Sequence, residues 1–146
     1  MRSDLDSGHQ WSGTASLRSF AERVVDLADH LPASDRALLR GIYDRGMSAA
    51  EFARAIGQRP RTVRRRVHRL LSRVTSPAFQ FVLRSAGRWP ERRRRVGTLV
   101  FLHGCSIRGT ARQLGVSQHR IRQETDGIRV LLQQELEGSK DGPRRG

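Results

Sequence analysis

Lysine is almost missing from this 146-residue chain: Lys140 is the only one, so arginine fills all but one of the 28 basic positions. Only 14 Asp and Glu side chains stand against them, leaving a formal net charge of +14 that attracts polyanions, nucleic acid first among them. A genome rich in G and C can favour arginine over lysine, but codon usage does not place arginines in clusters. Cysteine occurs once, at Cys105, which excludes an internal disulfide. Its neighbours in FLHGCSI predict a small buried apolar side chain. The five histidines lie far apart and none has metal-ligand spacing beside a cysteine, so no metal is expected. No apolar run approaches the ~18 residues that span a bilayer. The opening MRSDLDSGHQ is acidic and polar, unlike a signal peptide. These absences predict a soluble, cytoplasmic, nucleoid-associated protein without a membrane partner. There is also no Gly-rich phosphate loop and no Ser, His and acid set, and the single tyrosine, Tyr43, falls on a core stripe. No catalytic residue, cofactor or small-molecule ligand is expected, and the chain does not read as an enzyme.

What is present is helical periodicity. After a segment without periodicity, expected to be unstructured over residues 1–15 although Trp11 can dock, Leu17, Phe20, Ala21, Val24, Leu27, Ala28 and Leu31 recur every three or four positions and predict an amphipathic helix ended by Pro32. Leu38, Leu39, Ile42 and Tyr43 mark a second helix, with Ser34 or Asp35 as its N-cap and Gly46 as its stop. Ser48 with Glu51 forms a capping box for a short helix closed by Gly57, and Pro60 opens a further one. Three helices separated by tight turns, the middle one short, make the pattern of a helix-turn-helix unit.

The chain then repeats itself. A shift of 58 positions, without gaps, aligns Gly46 with Gly104, Ser48 with Ser106, Ala53 with Ala111, Arg54 with Arg112 and Gly57 with Gly115. It also pairs Ile42 with Val100, Tyr43 with Phe101, Ile56 with Leu114, Val63 with Ile121, Arg64 with Arg122, and Leu70 with Ile128. Glycines at turns, serines at caps, small residues where helices approach and aliphatics in the core give each match a physical reason. The expected architecture is all-α: an N-terminal helix and first helix-turn-helix unit over 16–75, a helical connector over 76–89, a second unit over 90–136, and an unstructured tail over 137–146.

On the LP-x-x-DR opening at Leu31 to Arg36, the turn from Tyr43 to Gly46, Ser48, Glu51, Ala53, Gly57 and the track from Thr62 to Arg69, residues 31–74 resemble the fourth region of bacterial sigma factors. The second unit, about 90–132, is similar through GCSIRGTARQLGVS but lacks the LP opening. The resemblance implies a module that reads double-stranded DNA, with RNA polymerase as a possible partner. The first 30 residues hold no counterpart of the larger polymerase-binding region of those factors, so a complete sigma factor is not expected.

In RPRTVRRRVHRLLSRV, Val63, Val67, Leu70 and Val74 form an inward stripe. The opposite arc carries Arg61, Arg65, His68 and Arg69, with Thr62 at its edge and no acid. A merely solvated face would interleave acids at helical spacing. Early residues of the third helix meet base edges while flanking groups hold phosphates. That assigns Arg61, Thr62, Arg65 and His68 to bases, and Ser48, Arg59, Arg64, Arg66, Arg69 and Arg73 to the backbone.

The matching helix of the second unit shows His119, Arg120, Gln123 and Asp126 outward, with Glu124 nearby and Gly127 weakening its middle. Either it contacts DNA more weakly through Ser106, Arg108, Gln118, His119, Arg120 and Gln123, or it serves as a packing or partner surface. The run Arg92 to Arg95 sits at a helix start, where cations are unfavourable unless an anion lies close. The leading expectation is a DNA-binding transcriptional regulator. An adaptor that docks on RNA polymerase or a sigma antagonist, or the end-binding module of a transposition system, are the alternatives.

Overall fold

The computed structural model describes residues 16–141, and side chains as far as residue 139. The expected unstructured start and Trp11 lie outside the described residues. Within them every regular element is helical, so the chain is all-α as its periodicity predicts. The chain divides between Leu71 and Ser72 into two compact units.

The first unit begins with α1 (residues 16–28), which buries Val24 and Ala28 one turn apart. The helix stops before Pro32, and α2 (Ala33–Tyr43) starts directly after it. Pro32 itself stands at the N-cap with no side-chain bond. Ser34 and Asp35, expected as caps, are instead in the first turn, where their side chains are engaged by Arg66. Leu38 and Leu39 are fully buried. Gly41 allows α3 (Ala49–Ile56) to approach, because a Cβ there would lie 2.8 Å from the Phe52 ring. Ser48 caps α3 by accepting from the Glu51 amide at 3.0 Å, and Gly57 ends it in the left-handed conformation. Then α4 (Pro60–Val74) buries Val63 and Leu70. Ile56, expected in the core, is largely exposed.

The second unit opens with α5 (Pro77–Ser85), capped by Ser76 and carrying the buried Phe79, Phe81 and Val82. After a 3-10 turn (Ala86–Arg88), α6 (Glu91–Gly97) runs straight into one π turn (Thr98–Leu102). α7 (Ile107–Leu114) and α8 (Gln118–Asp141) follow. α5 packs on the π turn and on α8, so the segment expected as a connector over 76–89 is part of this unit's core. α8 does not break at Gly127, and it continues over residues 137–141, which were expected to be unstructured. Thr110 and Thr125 are buried without penalty because their hydroxyls donate to the carbonyls of Ser106 and Arg122.

The repeat extends to single backbone bonds. α3 and α7 begin and end 58 positions apart, and α4 and α8 begin 58 apart. The described residues with positive φ are Gly46 and Gly57, then Gly104 and Gly115 at the same shift. The wide turn that closes α2, with Met47 N donating to Gly41 O at 2.9 Å, returns as Cys105 N donating to Leu99 O at 2.8 Å. Gln58 N to Ala53 O becomes Val116 N to Ala111 O, and Val63 N to Arg59 O becomes Ile121 N to Ser117 O. Equal backbone bonding from different side chains means that one helical unit is built twice.

Candidate nucleic-acid interface

Helix α4 has one greasy side and one cationic side. Val63 and Leu70 point into the core and Val67 is half-buried. Arg59, just before the helix, and Arg61, Thr62, Arg64, Arg65, His68 and Arg69 along it are exposed. No carboxylate of the described residues pairs with any of these five arginines. The sequence explains why, since there is no Asp or Glu between Phe52 and Pro90. Arg61 with Arg65, and Arg65 with Arg69, are like-charge pairs one turn apart, each costing helix stability about 0.2–0.5 kcal/mol. The fold therefore keeps a mildly unfavourable row of guanidinium groups on an open surface.

Three of the residues expected to hold phosphate are used internally instead. Arg66 is half-buried and donates through Nη2 to Asp35 Oδ1 at 2.8 Å and to Ser34 Oγ at 3.0 Å, with Nε 3.2 Å from the same carboxylate. It ties α4 to the first turn of α2. Arg73 donates to the carbonyl of Leu102 at 3.2 Å and lies against the turn at Gly104, where a Cβ would come within 2.4 Å of it. A cation at the carbonyl end of a helix is favourable, so Arg73 stabilises the close of the π turn. Ser48 has its hydroxyl occupied as acceptor from the Glu51 amide and as donor to the Glu51 carboxylate at 3.2 Å. In the free protein these three side chains therefore have internal partners, which the other residues expected at phosphates lack among the described residues. Of the base-edge set, Arg61, Thr62, Arg65 and His68 share one exposed stretch, flanked by Arg59, Arg64 and Arg69.

In the second unit, Ser106 caps α7 by accepting from Gly109 N at 2.9 Å, and Ser117 accepts from Arg120 N at 3.1 Å. Arg108, Gln118, His119, Arg120 and Gln123 are exposed. The two acids of this stretch each have an arginine close by. Glu124 is half-buried with Oε2 3.5 Å from Arg93 Nε, and Asp126 lies 3.7 Å from Arg129. Gly127 is the slot for the first pair, since a Cβ there would meet the Arg93 guanidinium at 3.0 Å. Of the run at the start of α6, Arg93 is thus internal, whereas Arg92, Arg94 and Arg95 are exposed.

No family model, curated protein or solved structure matches the chain. Arg54 and Arg112, paired in the repeat but not assigned to the interface by their sequence pattern, are both exposed. Arg112 joins Arg108, Ser117 and Gln118 in lining a cleft of about 390 Å³ beside the start of α8. Their match in the repeat was the signal that pointed to them. Cys105 is half-buried rather than enclosed. Tyr43 packs edge-on to Phe20 with ring centres 6.1 Å apart, and burial raises the pKa of its hydroxyl above the ordinary value. Among the described residues no helix is long and apolar enough to cross a membrane.

Proposed function

We propose that the chain is a double-stranded-DNA-binding transcriptional regulator whose first unit lays the N-terminal half of α4 in the major groove. Arg61, Thr62, Arg65 and His68 face base edges, and Arg59, Arg64 and Arg69 hold flanking phosphates. The observation that carries this reading is the exposed, carboxylate-free row of guanidinium groups on α4. Arginine suits guanine because its planar fork donates to O6 and N7 together, a match worth about 1–3 kcal/mol of discrimination. Phosphate also removes the self-repulsion that the free protein tolerates. The likeness of residues 31–74 to the fourth region of sigma factors supports the same docking of a third helix after two shorter ones.

Duplex binding measured against salt tests it. With three phosphates neutralised by Arg59, Arg64 and Arg69, log Kd changes with log salt at a slope of about 3. Arg65→Glu removes a donor and adds repulsion, so it weakens binding by at least about 100-fold. Affinity indifferent to both salt and Arg65→Glu removes the reading. A polymerase-docking role is the second reading, favoured by the exposed Val130 and Leu136 on α8. Retention of polymerase subunits from nuclease-treated extract by the wild type, lost in Val130→Glu, would support it; no retention would dismiss it.

A further inference from the structure

The two reading helices occupy the same place in the same repeated unit, yet their exposed residues differ in a chemically informative way. At the shift of 58, Arg61 corresponds to His119, Thr62 to Arg120, and Arg65 to Gln123. Val63 and Ile121 are both fully buried, so the inward register of the two helices agrees and the outward positions are comparable one by one. Gln123, one turn after His119, is exposed as Arg65 is. No hydrogen bond occupies its amide among the described residues.

We propose that the second unit is a second DNA-reading head with a different base preference, in which Gln123 recognises adenine where Arg65 of the first unit recognises guanine. This rests on the DNA-binding reading above. A side-chain amide offers one acceptor and one donor in a plane, the complement of adenine N6 and N7, whereas a guanidinium offers only donors. The charge around Gln123 suits a duplex. Arg108 and Arg112 line the cleft at the start of α8 together with Gln118, and Arg120 is exposed beside it. The nearby Glu124 is drawn to Arg93 on α6, and Asp126, on the line of His119 two turns on, has Arg129 at 3.7 Å. Ser106 is also freer than its counterpart, because Gly109 replaces the carboxylate that occupies Ser48. The target is consequently a site of two unlike elements, one read by each head of a single chain.

Selection of bound sequences from a random duplex pool tests this, using the full chain as wild type, Arg65→Glu, Gln123→Ala and Gln123→Arg. The wild type should enrich a guanine-containing element together with an element holding a preferred adenine. Gln123→Ala should weaken that adenine preference about 5- to 100-fold. Gln123→Arg should move the preference at the same position to guanine, a change that a merely structural role would not produce. If both Gln123 variants select the wild-type sequence while Arg65→Glu loses the guanine element, the second head is overturned and the first stands. If no sequence is enriched and Arg65→Glu changes nothing, both readings fall.

Discussion

The two units place matching backbones under unlike surfaces. In the first, α4 exposes Arg61, Arg64, Arg65 and Arg69 without a carboxylate partner among the described residues; in the second, the early turns of α8 show a mixed surface on which Glu124 lies against Arg93 and Asp126 lies 3.7 Å from Arg129. The turns differ similarly. Gly46 has open space where a Cβ would go, whereas Gly104 carries the Arg73 guanidinium against it. The repeat thus preserves what the backbone needs, namely left-handed glycines and serine caps, while the charged side chains have diverged. Function is to be sought in that divergence.

The largest effect should come from placing a carboxylate at the matched positions. Arg65→Glu is expected to weaken duplex binding by at least about 100-fold, and Gln123→Glu by about tenfold, as read by fluorescence anisotropy at fixed salt. Equal losses would erase the distinction between the heads. The turns come next. Gly46→Ala should lower stability by about 1–2 kcal/mol through the left-handed conformation alone. Gly104→Ala should cost about 1 kcal/mol more, because Arg73 must leave the Leu102 carbonyl; denaturant unfolding reports both. Asp35→Ala strips the partner from a half-buried guanidinium and should destabilise the first unit by about 1–3 kcal/mol while leaving DNA affinity unchanged. A loss of affinity in folded protein would return Arg66 to the interface. The smallest effect is expected from Asp126→Asn, which removes one exposed negative charge from α8 and should tighten duplex binding about twofold at low salt, less as salt screens it.

Much of the fold was legible because it rests on local chemistry. Ser48, Ser106 and Ser117 cap helices with their own hydroxyls, and Gly57 and Gly115 end them with a backbone conformation that other residues resist. Such signals lie within a few residues of their effect. The exposed row on α4 was legible too, since helical spacing places Arg61, Arg65 and Arg69 opposite Val63 and Leu70. What the sequence concealed depends on distance along the chain. Arg66 looks like its neighbours until Asp35, across from it in the folded unit, is seen to bind it. Arg73 is claimed by a carbonyl and Arg93 by a carboxylate, each about thirty positions away along the chain. Gly127 reads as a helix weakener by propensity, but the helix stays whole around it and its missing side chain makes room for Arg93. The connector was separated from the second unit because its helix is short, although Phe79, Phe81 and Val82 place it in that unit's core.

The central claim is a partition of the guanidinium groups from Arg59 to Arg73 into free and structural members, and side-chain Nε–H spectra of the assigned arginines, recorded while a duplex of selected sequence is added, test it most directly. On that partition, the signals of Arg61, Arg65 and Arg69 should move or broaden while those of Arg66 and Arg73 keep their positions. Movement of Arg66 and Arg73 with Arg61 and Arg65 unperturbed would contradict it.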